Sequence, residues 1–310
     1  MTPTILVGYD GSDHGDDALA LGRLLAGISA AELVVACAYP DDPLGESAAA
    51  HEAARELRAD AEARLDRARE RLGGVGGGAP GAAAGAGAAG VELRAIPGAS
   101  PSQVLHDLAE ELRAEAIVVG ATHHGRALRL LTGSTPEAVL NHAPCPVAVA
   151  PDGFRHAHAS GSPRQLAVAF DGSPESRQAL AIAAEYARRS GARLRIVTAV
   201  NSAAAAVYPP PPLDVAAYEE LGEIARGQAR ERLDEAIASL AGGEGLTVEG
   251  AVLDGDIVGS LLEDAKSDDL LFTGSRAQGP FRRVLVGSVS THLLRDAPCP
   301  VVIVPRGDPA

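Results

Sequence analysis

The sequence holds no tryptophan and a single lysine, Lys266, and aromatic residues of every kind amount to 3%. Cores built without large rings must be filled by aliphatic side chains, and hydrophobic residues, many of them alanine, do make up 46%. Basic charge is short as well. Against 41 Asp and Glu stand 27 Lys and Arg, a formal net charge of −14, which argues against a basic face for nucleic acid. No apolar run approaches the length needed to span a membrane, so no membrane partner is expected. The amino terminus, MTPTILVGYDGSD, has no cationic stretch ahead of its apolar run and does not read as a signal peptide. Cysteine is limited to Cys37, Cys145 and Cys299, scattered without the spacing of metal ligands. No metal centre is expected, and a cytoplasmic location fits this composition.

What the chain does contain is a copy of itself. TILVGYDGSD near the start returns as LAVAFDGSP, which sets Asp10-Gly11-Ser12 opposite Asp171-Gly172-Ser173. GATHHGRALRLLTGST, from Gly120, returns as GSRAQGPFRRVLVGSVS, from Gly274, and APCPVAVAP returns as APCPVVIVP. From Gly120 onward the copies keep one register, pairing Gly125 with Gly279, Gly133 with Gly287 and Cys145 with Cys299. Repetition of this length implies two domains. We expect one over 1–151, a linker over 152–163 without regular structure, and a second domain over 164–306. The tract GGVGGGAPGAAAGAGAAG, 73–90, is too poor in packing side chains to offset the entropy of ordering it and reads as a flexible surface loop.

Within each half, short apolar runs alternate with longer segments of helical period. The expected strands are ILVGY, LVVACA, VELRAI, AIVVG and PVAVA, then LAVAF, LRIVTA, LTVEGAV, LLFTG and PVVIV. Runs that are apolar nearly throughout suit parallel strands covered on both faces. Ala18, Leu21, Leu25 and Ile28 share one helical stripe, as do Ala179, Ile182, Ala183 and Tyr186. Helical crossovers between buried strands give an α/β fold, two Rossmann-like domains, each a five-stranded parallel sheet with helices on both faces.

In such a sheet, ligands bind beyond the carboxyl ends of the strands where the strand order reverses. Asp10 or Asp171 ends the first strand of its half, and Gly120 or Gly274 ends the fourth. A Gly-Ser pair opens the helix that follows, where unpaired N–H groups suit a phosphate. Each half resembles a universal stress protein domain, whose nucleotide-binding members carry G-x2-G-x9-G-[ST] at this place, and the whole chain resembles the tandem form of that family. The resemblance implies an adenine nucleotide alpha hydrolase-like fold that binds ATP, with or without Mg, with the first-strand aspartate at the nucleoside end and the glycine loop around the phosphates. Carried over by position, the site is Asp10, Gly120, Gly125, Gly133, Ser134 and Thr135 in the first half. In the second it is Asp171, Gly274, Gly279, Gly287, Ser288, Val289 and Ser290. Both halves depart from the pattern at its inner glycine, replaced by His123 and Ala277, with Gly125 and Gly279 two residues later to supply similar freedom.

Other roles compete for these residues. Ser12 and Ser173 can cap the following helix, the latter with Pro174 at the first helical position. Ser134 and Glu137 have the spacing of a capping box. His123-His124 lacks further ligands at metal spacing and reads as a solvated pair, and Cys145 and Cys299 read as packing residues. The competing function is a scaffold of the same fold without nucleotide. Catalysis beyond slow, incidental ATP hydrolysis is not expected, because no nucleophile, metal-binding carboxylate cluster or SGGxDS loop is present. The second half is expected to bind better: Pro136 has no N–H, whereas its counterpart Ser290 can offer both an N–H and a hydroxyl to a phosphate oxygen, and Glu137 stands where the second half has Thr291. The family resemblance also implies a homodimer, or an intramolecular pseudo-dimer, through the last strands.

Overall fold

The computed structural model describes residues 2–41, 48–73, 90–121, 135–141, 143–157, 161–201, 215–240, 245–275 and 288–305. The chain divides between Gly161 and Ser162 into two compact units. The first runs β1 (Thr4–Gly8), α1 (Asp13–Ser29), β2 (Glu32–Pro40), α2 (Ala48–Gly73), β3 (Val91–Gly98), α3 (Pro101–Leu112), β4 (Ala116–Gly120), α4 (Thr135–Leu140), β5 (Val147–Ala150) and α5 (Phe154–Ala157). The second runs β6 (Gln165–Ala169), α6 (Pro174–Ser190), β7 (Arg193–Val200), α7 (Val215–Leu240), β8 (Val248–Asp254), α8 (Ile257–Asp264), β9 (Leu270–Gly274), α9 (Ser288–Asp296) and β10 (Val301–Val304).

Strand order in the first unit is β3-β2-β1-β4-β5, and in the second β8-β7-β6-β9-β10. The pairings within each unit are parallel; Ile5, for example, lies opposite Leu33 on β2 and Ala116 on β4. The central strands carry the core. Ile5, Leu6, Ile117 and Val147 are fully buried, as are Leu166, Leu194 and Phe272. Each such side chain contributes roughly 1.5–3 kcal/mol relative to exposure. All ten strands read from the apolar runs are present, with ends displaced by at most two residues.

Helix α1 begins where Ser12 accepts a hydrogen bond from the Gly15 N–H, with Asp13 and Asp16 in the first turn, and it ends at Ala30 in the left-handed conformation. Ala18, Leu21 and Leu25 of the expected stripe are buried, while Ile28 is half-buried. Helices α2 and α7 bury Ala61, Leu65, Ala68 and Ala229, Leu233, Ala236 respectively, the same small-large-small pattern in the same register. In α2, residues 51–53 and 55–60 are exposed, so its amino-terminal half has no core to cover.

The structure departs from the sequence reading over 152–163. Residues Phe154–Ala157 form a short helix, with Phe154 buried. Four residues leave no periodicity to detect, and this helix is held by long-range hydrogen bonds described below. Most of the glycine-rich tract read as a flexible loop, residues 74–89, lies outside the described residues.

Candidate functional site

Within the first unit the chain runs outward from β1 to β2 and β3, then returns to place β4 on the other side of β1. Right-handed crossovers of opposite direction put α1 and α3 on opposite faces, which opens a crevice beyond the carboxyl ends of β1 and β4. The second unit repeats this between β6 and β9.

Asp10 and Asp171 stand just past the ends of β1 and β6. Asp10 Oδ1 accepts from the Ser12 N–H at 3.0 Å and the Ser12 hydroxyl at 2.6 Å. Asp171 Oδ1 accepts from the Ser173 N–H at 2.9 Å. Both turns pivot on a glycine at positive φ, Gly11 at 78° and Gly172 at 82°. Ser12 and Ser173 then cap their helices through the Gly15 and Ser176 N–H groups. In both turns one aspartate oxygen shapes the turn while the serine two residues on caps the helix.

Gly120 and Gly274 are the last residues of β4 and β9. Neither has a positive φ. A Cβ on Gly274 would lie 2.5 Å from the Glu175 carbonyl carbon and 2.7 Å from its oxygen, and one on Gly120 would strike the His14 carbonyl oxygen. Both glycines are therefore required by the first turn of the neighbouring helix, a reason the spacing alone did not reveal. The next residue differs between the units. The Ser275 hydroxyl is fully buried and has no hydrogen-bond partner among the described residues, whereas Ala121 occupies its place in the first unit. An orphaned hydroxyl beside the crevice is what a ligand's polar group would satisfy.

Thr135 opens α4, while Ser288, Val289 and Ser290 open α9. Ser290 is buried, and its hydroxyl donates to the Gly274 carbonyl at 3.3 Å. That hydroxyl holds the start of α9 to the end of β9, so the expected offer to phosphate reduces to the backbone N–H. Gly125, Gly133, Ser134, Gly279 and Gly287 lie outside the described residues, as do His123, Ala277 and the Ser134 arm of the capping box.

Sequence reasoning missed the wall contributed by α2. Tyr9 donates to Asp16 Oδ1 at 3.0 Å, and Arg71 lies 3.3 Å from the other oxygen of Asp16. Burial, together with the bond to Asp16, pushes the Tyr9 phenol up to about 12. One and two turns earlier on α2, Arg67 and Arg64 overlie Gly11; their nearest atoms fall 2.8 and 3.1 Å from where its Cβ would be. Arg64 also pairs with Asp60. Charges at i and i+3 show in a sequence, but not which turn they overhang.

Sequence reasoning also missed Asp17, a fully buried carboxylate on α1. It accepts from the Gly153 N–H and the Arg155 N–H, each at 2.9 Å, and Arg155 Nη1 lies 3.2 Å away. Arg155 reaches further, donating to the Asp13 carbonyl at 2.7 Å and pairing with the Asp13 carboxylate at 3.0 Å. His14, Asp17 and Asp152 bring donor atoms within 4.8 Å of one another, as a cation would require. Both Asp17 oxygens are already committed to the chain that follows β5, so this group serves as a clamp on α5. Cys145 and Cys299 are buried as expected, and burial pushes both thiols up to about 12.

The family model for the universal stress protein family matches residues 1–151 and again 163–305. A universal stress protein of Mycobacterium tuberculosis is 29% identical over 312 aligned residues, covering 97% of this chain and 99% of its own. One from Mycolicibacterium smegmatis is 33% identical over 62% of each chain. Among solved structures, a universal stress protein from Archaeoglobus fulgidus superposes with a TM-score of 0.65 at 18% identity, over 98% of both chains. With the double match joined to the repeated strand order and the repeated aspartate turn, the chain belongs to the universal stress protein family, in tandem form.

Proposed function

We propose that the protein binds adenine nucleotide, ATP with or without Mg, at the carboxyl ends of β1 and β4 and of β6 and β9, as a stress sensor or regulator in the cytoplasm. The observation that carries this reading is the coincidence, twice in one chain, of an Asp-Gly-Ser turn, a strand-ending glycine and a helix start at one crevice. A carboxylate at the strand end suits a ribose hydroxyl or an adenine amine, and the helix start suits phosphate. The second unit is the better site, supported by the orphaned Ser275 hydroxyl and by Ser290 in place of Pro136. The domains proposed are 1–151 and 164–306, and hydrolysis is at most slow and incidental. Pairing through the last strands, in a homodimer or an intramolecular pseudo-dimer, goes with this reading, because an uncovered apolar edge invites uncontrolled pairing.

A second reading, a scaffold that holds no nucleotide, is favoured by one observation: Ser290 spends its hydroxyl on Gly274. The deciding experiment is to denature purified protein, chromatograph what is released, and titrate the refolded or nucleotide-free chain with ATP. Released ATP or ADP in proportion to protein, or a calorimetric isotherm, supports binding. A blank chromatogram with no heat on titration establishes the scaffold.

A further inference from the structure

The two units carry opposite charge at one aligned position of α2 and α7. The buried triplets Ala61-Leu65-Ala68 and Ala229-Leu233-Ala236 align α2 with α7. In that register Arg64 matches Arg232, and both overlie the glycine of the aspartate turn, Gly11 and Gly172. One turn on, Arg67 matches Glu235. Arg64 is engaged with Asp60 and Arg71 with Asp16, but Arg67 has no carboxylate partner among the described residues. Arg67 is exposed, and its Nη2 lies over Gly11, the residue that follows Asp10 in the chain. In a chain of net charge −14, an uncommitted guanidinium held over the nucleoside end of the crevice is a place for an anion.

We propose that Arg67 is a specificity-determining residue: it fits the first unit to an adenine nucleotide that carries an additional phosphate on its ribose, at the 3′ position, while Glu235 turns such a ligand away from the second. The proposal rests on the nucleotide reading above. A planar guanidinium meets a phosphate ester with two parallel N–H donors, whereas a carboxylate at the same place repels it. Plain ATP has no charge at that end and gains little from Arg67.

The test uses the full chain and calorimetric titration with two probes, ATP and adenosine 3′,5′-bisphosphate. The unaltered protein binds one bisphosphate per chain. Arg67→Gln lowers bisphosphate affinity by about tenfold or more, the scale of one charge-assisted contact, and lowers ATP affinity by a clearly smaller factor, so the ratio of the two affinities shifts toward ATP. Glu235→Arg raises bisphosphate stoichiometry to two. Both residues are exposed, so circular dichroism melts of the variants match the parent. Bisphosphate binding that is indifferent to Arg67→Gln, in protein that still binds ATP, overturns this inference and leaves the nucleotide reading standing. Folded protein that binds neither probe overturns both.

Discussion

Replacing Gly274 by alanine adds one methyl group where three atoms of Glu175 already stand, at 2.5, 2.7 and 2.8 Å from the new carbon. Ordinary contact begins near 3.4 Å. Two of the three atoms are backbone, so no side-chain rotation relieves the overlap, and α6 must shift by most of an ångström at its first turn. That turn holds the Ser173 cap and the Asp171 turn. Overpacking of this kind costs about 1–3 kcal/mol, and immovable backbone puts it at the upper end, about 2–3 kcal/mol. For a unit of this size the melting temperature falls by about 5–10 °C. The assay is a circular dichroism melt of the full chain with nucleotide absent, beside Gly120→Ala, in which the new methyl group meets the His14 carbonyl. If either variant melts within a degree of the parent yet binds ATP poorly, the glycine serves the ligand and the packing argument is refuted.

Asp17→Ala removes the acceptor of two backbone N–H bonds and of an arginine, and is expected to cost on the order of 3 kcal/mol. Amide exchange is the sharper readout, since Gly153 and Arg155 lose protection if the clamp is real and keep it if it is not. Burial raises the Asp268 carboxyl, which is bonded through Oδ1 to Gln165 at 2.8 Å, while Oδ2 lacks a partner among the described residues. A raised folded value means this group's favourable contribution is full below the unfolded value near 3.8 and is lost as pH rises through the folded one. Asp268→Asn is thus expected to stabilise the protein once the pH is above the folded value and to flatten the decline that begins near pH 4; equal pH profiles for parent and variant contradict this. All three thiols are buried and raised by burial, so a disulfide exchange reagent at pH 8 should label none in the folded chain and three after unfolding.

The strands were legible because parallel strands buried on both faces are written as unbroken aliphatic runs, and AIVVG and LLFTG match β4 and β9 to the residue. Ser12 and Ser173 were legible because a cap is a local contact. What escaped was contact between residues distant in the chain. Gly120 and Gly274 drew attention as places for a ligand's approach, yet their nearest neighbours are His14 and Glu175. Asp17 was passed over altogether, although it is fully buried, because its partners Gly153 and Arg155 lie far along the chain. Ser290 looked free to meet a phosphate, and only the packed strand end shows where its hydroxyl goes.

The Asp17 clamp bears on how the chain can be cut. A protein engineer dividing the molecule where the first family match ends, at residue 151, would discard Gly153 and Arg155 along with the helix they begin. The fragment would then carry a bare carboxylate sealed inside its first helix, a group that must either take up a proton or force water into the interior. Poor yield from such a fragment would say nothing about whether half the protein can stand alone. A cut placed after Ala157 keeps the donors with their acceptor, and a truncation series across 151–157 should show solubility appearing abruptly once Arg155 is included.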